Sequence, residues 1–289
     1  MARSRAAPYW LTAPALAVYA AFLVVPIASV ALLSFHGFEF YGGIQPGLTL
    51  KNFRDVFSDS YYWEVFGRTF FVAVVVTAIC AVLGTFEAIV LQRMGNPWKS
   101  VFLLVVLGPL LISVVVRTLG WALLFGSTGL VNKALLALRV VREPVAFMYS
   151  VTGVVIALTH VLVPFVVISV WASLQRLDPA VERAAVSLGA TQPTVLRRII
   201  VPLAMPGILS GSVIVFALAA SAFATPAIIG GRRLKVIATA AYDEFLNTLN
   251  WPLGACLAVL LLVANVAFLY ASNRMIERRW QAVFRESAA

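Results

Sequence analysis

Long apolar runs recur along this chain and decide how it can fold. A helix needs about 20 mostly apolar residues to cross the hydrocarbon core of a bilayer. Six candidate runs lie at about 10–35, 69–91, 101–116, 151–174, 207–229 and 253–271. Only 12% of the residues are charged and 62% are hydrophobic, whereas soluble domains carry about 25% charged residues. The sequence therefore predicts an all-α integral membrane protein, with residues 1–289 forming a single transmembrane domain, and it excludes a soluble enzyme.

The net charge of +10 could indicate nucleic-acid binding, but the positions of the charges argue against it. The 22 Lys and Arg residues occupy short breaks between apolar runs and form no continuous basic stripe. Basic residues in such breaks set the orientation of a membrane protein and meet anionic head groups. We therefore expect a lipid membrane as partner and no nucleic acid.

The distribution of basic residues also predicts the topology. With both termini in the cytoplasm, 12 Lys and Arg face inward and 10 face outward. This difference is small, but four arginines lie between Arg274 and Arg285 at the C-terminus. The rule that cytoplasmic loops are rich in Lys and Arg thus favours cytoplasmic termini. The first run exceeds the roughly 7–15 apolar residues of a signal peptide, so we expect it to remain as a helix.

The two cysteines, Cys80 and Cys256, each lie within an apolar run. Neither belongs to a Cys-x-x-Cys or Cys/His pattern of the kind that binds zinc. We predict that both are buried apolar residues and that no metal is bound.

Two long segments are predicted on the outer side. Residues 36–68 contain a hairpin-like Gly42-Gly43. Residues 117–150 contain the apolar stretch from Leu119 to Phe125, which is too short to cross a bilayer. We expect that stretch to form a re-entrant or interfacial helix.

Residues 175–206 form the longest predicted cytoplasmic segment and read as two short helices. Asp178 followed by Pro179 is typical of an N-cap and a first helical residue, and Glu182 would then face the positive end of the helix dipole. Gly189 is suited to end this helix. Its predicted apolar face consists of Val181, Ala185 and Leu188.

The second short helix is predicted to begin at Thr191 and Pro193 and to end at Pro202 and Pro206, before the fifth span. The side chains predicted to face inward are Val195, Leu196, Ile199 and Ile200. An amphipathic helix pair of this kind either lies on the membrane surface as a linker or docks into a groove of a cytoplasmic partner. The residues alone leave both interpretations open.

This segment resembles the signature loop of binding-protein-dependent ABC importer permeases. That loop carries Glu-Ala-Ala, three residues, Gly, and an aliphatic residue with Pro about a dozen residues later. The chain has Arg183-Ala184-Ala185, then Gly189, then Val201-Pro202. The position of the usual acid is taken by Arg183, and Glu182 stands one residue earlier.

The resemblance extends over most of the chain and is strongest for the spermidine/putrescine branch. The motifs that carry it are Tyr62-Trp63-Glu64-Val65-Phe66, Arg117-Thr118-Leu119-Gly120-Trp121, Gly129-Leu130-Val131-Asn132, Thr225-Pro226-Ala227 and Asn250-Trp251-Pro252. Branches that carry iron, thiamine, opines or phosphonates share many of these features. The resemblance therefore implies a type I importer permease fold with six transmembrane helices, and it leaves the substrate open, with a polyamine as the first expectation.

The resemblance also implies partners. Such permeases act as a pair of identical or different membrane subunits, with two cytoplasmic ABC ATPases and an extracytoplasmic solute-binding protein. The coupling helix of the signature loop sits in a cleft of the ATPase. The residues carried over to this contact are Asp178, Glu182, Arg183, Ala184, Ala185, Leu188, Gly189, Ala190 and Pro202. The chain has no GxxxxGK[ST] motif, so we expect ATP to be used by the partner ATPases and no cofactor to be held here.

Three residues are candidates for the translocation path: Glu87, Arg117 and Trp121. Ionisable residues inside membrane spans are functional candidates, and Glu87 could meet a cationic substrate. It could equally pair with a neighbouring helix or reach the inner surface. His160 in the fourth span is expected to be a hydrogen-bonded residue and no ligand.

Two other classes of protein are weighed against an importer. An ion-coupled secondary transporter would use several charges within the membrane and internal repeats, whereas this sequence shows one clear intramembrane acid. A membrane enzyme would need several polar groups converging within the spans, and the sequence has no such set. The importer permease is therefore the favoured interpretation.

Overall fold

The structure is a computed structural model that describes the backbone of residues 7–286 and the side chains of residues 12–178 and 180–274. Five arginines used in the topology argument fall outside the described side chains: Arg3, Arg5, Arg278, Arg279 and Arg285. The chain divides into two compact units. The first comprises the residues up to Glu64 with Ala240–Val263, and the second comprises Val65–Thr239 with the residues from Ala264 onward.

The described residues are mostly helical. The N-terminal helices are α1 (Ala7–Tyr19), a π-helical turn (Ala20–Val24) and α2 (Val25–Leu33), followed by α3 (Lys51–Ser58) and α4 (Ser60–Arg93). The middle helices are α5 (Trp98–Leu111), α6 (Val114–Phe125), α7 (Leu130–Ala137) and α8 (Val151–Leu174). The later helices are α9 (Pro179–Ser187), α10 (Gln192–Val195), a π-helical turn (Leu196–Ile200), α11 (Val201–Ala220), a second π-helical turn (Pro226–Gly230), α12 (Ile237–Leu246) and α13 (Trp251–Glu286).

Six stretches of the described helices are long and apolar enough to cross a membrane. They are Thr12–Leu33, Ser60–Arg93, Val114–Ala137, Val151–Leu174, Gln192–Ala220 and Trp251–Arg274. The number of predicted spans is thus confirmed, although the limits of the third and fifth spans are wrong.

Helix α8 lies at the centre of the second unit. It begins where the Ser150 hydroxyl accepts a hydrogen bond from the backbone N–H of Gly153 at 3.1 Å, which satisfies one free donor of the first turn. Two neighbouring helices approach it through glycines. A Cβ at Gly84 of α4 would lie 2.7 Å from Val166 Cβ, and one at Gly211 of α11 would lie 2.9 Å from Val166 Cα. Small residues therefore let α4 and α11 pack directly against the backbone of α8.

Both cysteines are fully buried and free, as the sequence predicts. The hairpin-like glycines also lie where expected. Strand β1 (His36–Glu39) pairs antiparallel with β2 (Gly43–Leu48), and Glu39 faces Gly43 in the register. Gly43 has a φ of +69°, a conformation open to glycine at little steric cost. The turn at Gly42-Gly43 therefore joins the two strands.

The predicted third span, 101–116, is wrong because the helix breaks inside it. Helix α5 ends at Leu111, and Ile112 and Ser113 are extended before α6 begins at Val114. Pro109 lies in the last turn of α5, where proline removes a backbone donor. Arg117 donates a side-chain hydrogen bond to the Pro109 carbonyl and so caps the free end of α5. The stretch from Leu119 to Phe125, predicted as a short separate helix, is the second half of α6.

The predicted fifth span, 207–229, also has wrong limits. Helix α11 ends at Ala220, and the π-helical turn at Pro226–Gly230 is a separate element. The predicted helix end at Pro202 is wrong as well, because α10, the π-helical turn and α11 follow one another from Gln192 to Ala220. The π-helical turn places the Val201 N–H on the Leu196 carbonyl, one residue further back than in an α-helix. This local widening lets the helix continue into Pro202 at the start of α11.

Candidate coupling segment and membrane cavity

Helix α9 begins as its sequence predicts. The Asp178 carboxylate accepts a hydrogen bond from the Ala180 N–H at 2.8 Å, and Glu182 lies in the first turn of the helix. Both acids thus stand at the positive end of the helix dipole. Gly189 follows the helix with a φ of +85°, which is the left-handed conformation of a glycine that ends a helix.

Some apolar side chains in and just after α9 are exposed, and others pack against the protein. Leu188 is 89% exposed, and Val181 and Val186 are 46% and 44% exposed. Ala185 and Ala190 are half-buried and pack against the core of the second unit. The predicted single face of Val181, Ala185 and Leu188 is therefore wrong, since the alanine holds the helix to the protein while Leu188 points away from it. Ala184 and Gly189 are exposed beside Leu188.

Glu182, which stands one residue before the usual position of the acid in the signature loop, has a partner within the chain. A Glu182 carboxylate oxygen lies 3.0 Å from an Arg93 guanidinium nitrogen, which is the distance of an ion pair. Arg93 is the last residue of α4. Arg183, at the position of the usual acid, is exposed. The pair therefore joins the end of α4 to the first turn of α9.

A second set of contacts joins the C-terminal ends of α4 and α8 to the N-terminal end of α5. The Trp171 indole N–H donates a hydrogen bond to the Gln92 side-chain oxygen at 3.1 Å. The Lys99 ammonium lies 5.2 Å from the centre of the Trp171 ring, within the range of a cation–π interaction. Sequence reasoning missed this set, although the polar residues at the ends of three apolar helices were a signal that could have revealed it.

The second half of residues 175–206 is only partly as predicted. Val195 and Ile200 are buried and Ile199 is half-buried, whereas Leu196 is 36% exposed, so its predicted inward direction is wrong. The π-helical turn changes the spacing of side chains around the helix, which a regular helical pattern does not take into account. Pro202 is exposed at the first turn of α11.

The candidate path residues lie around one cavity or contact residues that line it. Glu87 and His160 are the polar residues lining a cavity of about 360 Å³, and its other lining residues, among them Phe86, Phe102 and Pro109, are apolar. The Trp121 indole N–H donates to His160 Nδ1 at 3.2 Å, so the predicted hydrogen bonding of His160 is confirmed.

Arg117 completes this region. Its guanidinium binds the carbonyl of Pro109, a cavity residue, while its Nε is buried and has no hydrogen-bond partner among the described residues. Glu87 also lies on the same helix as Arg93, six residues earlier, which corresponds to about 9 Å along an α-helix. The cavity is therefore connected through α4 to the ion pair at α9.

Comparison with known proteins relates most of this chain to transporters. No family model matches the sequence. The spermidine/putrescine transport system permease protein PotB of Escherichia coli K12 is 29% identical over 234 residues, which cover 80% of this chain and 85% of that protein. The inner membrane ABC transporter permease protein YdcU of the same organism is 27% identical over 270 residues, covering 88% of this chain and 86% of that protein.

Solved structures agree on the fold. A bacterial ABC transporter involved in the import of the acidic polysaccharide alginate matches with a TM-score of 0.79 at 18% identity, covering 93% of this chain and 94% of the other. Its complex with an alginate pentasaccharide-bound periplasmic protein matches with a TM-score of 0.77 at 18% identity, covering 93% of each chain. None of these comparisons supports the ion-coupled alternative. The chain is thus similar in sequence and in fold to transmembrane permease subunits of ABC importers, and its sequence resembles that of the spermidine/putrescine branch.

Proposed function

We propose that this chain forms one half of the translocation path of an importer for a polyamine or a similar small organic solute. The resemblance in sequence to spermidine/putrescine permeases supports this substrate class. The Glu87 carboxylate beside an apolar cavity supports it as well, because a protonated amine can pair with the carboxylate while its methylene groups contact the apolar wall.

The observation that carries the coupling role is the exposed end of α9. Leu188 is almost fully exposed at the end of a short helix that Ala185 and Ala190 hold against the core. An exposed leucine on an amphipathic helix, flanked by the small residues Ala184 and Gly189, fits the helix-in-groove mode of recognition. We assign this contact to a cytoplasmic ABC ATPase, with Asp178 capping the helix and Pro202 beginning the helix that follows.

The same proposal gives the chain its partners and its orientation. Residues 175–206 and both termini would face the cytoplasm, and the membrane would be the bacterial inner membrane. A second permease subunit would complete the path, two ATPases would hydrolyse ATP, and an extracytoplasmic binding protein would deliver the solute. The chain itself would hold no cofactor and no ATPase site.

Substitution of Gly189 by Asp or Arg tests the coupling contact. Either side chain adds bulk at the exposed end of α9. A residue with a Cβ in this left-handed conformation also raises the free energy of the folded state by about 1–2 kcal/mol. We expect co-purification of the ATPases to fall and uptake to be lost. Gly95→Asp and Gly95→Arg are matched controls, because Gly95 is exposed, has no positive φ and has open space around its Cα. Unchanged uptake and unchanged ATPase association in the Gly189 variants would overturn the assignment.

A further inference from the structure

The cavity beside α4 presents polar groups of different character on two helices. Its acid is the Glu87 carboxylate on α4, and its other polar lining residue is His160 on α8. Within the part of the chain that the structure describes, Glu87 has no ion-pair or hydrogen-bond partner. A carboxylate inside a membrane span is unfavourable unless it meets a cation or a donor. The carboxylate is therefore available to an ammonium group.

The contact between Trp121 and His160 decides which nitrogen of the imidazole carries hydrogen. An indole N–H can only donate, so the His160 Nδ1 atom that receives it at 3.2 Å is an acceptor. The hydrogen of the neutral imidazole is then on Nε2. His160 makes no other hydrogen bond among the described residues. His160 thus offers a donor to the cavity, whereas Glu87 offers an acceptor.

Aromatic packing holds this donor in place. The rings of Trp121 and His160 meet edge to face, with their centres 5.4 Å apart. The Trp121 ring also lies 4.9 Å from the ring of Phe125, which is almost fully buried. Phe125 stacks in turn on Phe147, with ring centres 5.2 Å apart. The position of the hydrogen on His160 is therefore set by a residue of α6 that is anchored in the core.

Arg117 adds positive charge on the side of His160. Arg117 and Trp121 are four residues apart on α6 and so project from one face of that helix. The Arg117 guanidinium donates to the carbonyl of Pro109, a cavity residue, but its buried Nε–H has no partner among the described residues. A buried donor without an acceptor is unfavourable. An oxygen anion bound at His160 is therefore favoured by the charge of Arg117.

We infer that the cavity binds a solute with an ammonium group at one end and a carboxylate at the other, joined by a short apolar chain. This inference rests on the proposed function for the role of the cavity, and it narrows the solute class. The ammonium pairs with Glu87, and the carboxylate accepts from the His160 Nε2–H. The methylene groups contact the apolar wall of a cavity of about 360 Å³. A polyamine satisfies Glu87 alone, because all its protonated nitrogens are donors, and it therefore binds more weakly.

Direct binding to the complete transporter tests this inference. The transporter is placed in nanodiscs of phosphatidylcholine without binding protein and without ATP. Binding of radiolabelled γ-aminobutyrate is measured at equilibrium by a scintillation proximity assay, and unlabelled n-butylamine and putrescine compete for the site. These three ligands share a chain of four carbons. We expect γ-aminobutyrate to bind about fivefold or more tightly than either amine, which corresponds to one additional hydrogen bond.

Substitution of His160 separates its hydrogen bond from its packing. His160→Phe keeps a ring but removes the donor, so γ-aminobutyrate should bind no more tightly than n-butylamine. His160→Gln keeps an N–H donor and should retain most of the preference. Glu87→Gln should weaken both ligands by a similar factor, because each pairs with the carboxylate through its ammonium. His36→Phe changes the other histidine of the chain and is the matched control, with binding expected as in the wild type.

Three results would overturn the inference: no saturable binding of γ-aminobutyrate to the wild-type transporter, tighter binding of putrescine, or an undiminished preference in His160→Phe. Size-exclusion chromatography of each variant separates lost assembly from lost binding. If His160→Phe does not assemble, Trp121→Phe takes its place, since it removes the indole donor and should lower the preference. Failure of the proposed function is distinct, because ATP-driven uptake of spermidine with the binding protein would then be absent whatever the cavity binds.

Discussion

At the scale of single residues, the pair of Arg93 and Glu182 explains how this chain departs from the usual signature loop. An exposed ion pair contributes only about 0.2–1 kcal/mol to stability, and Arg93 is 50% exposed. Its importance therefore lies in the elements that it joins. It connects the helix we assign to the ATPase contact with α4, which carries Glu87 beside the cavity.

Exchange of the two charges tests this connection. Glu182→Arg and Arg93→Glu each place like charges together, so we expect each to lower the number of solute molecules imported per ATP hydrolysed, by about fivefold for a coupling free energy of about 1 kcal/mol. The double variant restores the attraction and should recover most of the wild-type ratio. Uptake and ATP hydrolysis are measured together in proteoliposomes.

The control for this experiment is Arg176→Glu, a charge reversal at an exposed residue just before α9. It should leave the ratio unchanged. If the double variant is no better than either single variant, the ion pair has no part in coupling.

At the scale of elements, glycines set the distance between α8 and its neighbours. The leucine side chain of Gly84→Leu would overlap with Val166 of α8, because even a Cβ at position 84 lies 2.7 Å from the Val166 Cβ. We expect α4 and α8 to separate and the folded transporter to be lost. Gly108→Leu is the matched control, since a Cβ at Gly108 of α5 has open space around it. Fluorescence-detected size-exclusion chromatography would measure the assembled transporter, and an equal yield for both variants would contradict this account of the packing.

The elements also show how far the sequence could predict the fold. Hydropathy identified six spans because lipid requires about 20 apolar residues whatever their order. It could not place the break at Ile112 and Ser113, which depends on Pro109 and on a side-chain hydrogen bond that Arg117 donates back across the break to the Pro109 carbonyl. The start and the end of α9 were predictable, because Asp178 and Gly189 act locally. The partner of Glu182 was not, because Arg93 is 89 residues away in sequence.

At the scale of the whole molecule, assignment to the importer class places ATP hydrolysis in the partner ATPases and the translocation path in the membrane subunits. We expect uptake of radiolabelled spermidine into proteoliposomes that contain the complete transporter and its binding protein. Substitution of the phosphate-binding lysine in the partner ATPases should abolish this uptake, since the lysine contacts the β- and γ-phosphates of ATP. Dissipating the ion gradients with ionophores should leave it unchanged. Uptake that follows an ion gradient without ATP would contradict the assignment.

The length of α4 has a mechanical consequence. Its 34 residues correspond to about 51 Å at the rise of an α-helix, which exceeds the roughly 40–45 Å of a bilayer with its head groups. A rod of this length amplifies small rotations, and a tilt of about 5° displaces its far end by about 4 Å. Because Arg93 ends the rod and Glu87 lies about 9 Å from that end, a small change in the angle of α4 about its far end would move Arg93 and Glu87 together, and a displacement of α9 would reach the cavity with little loss.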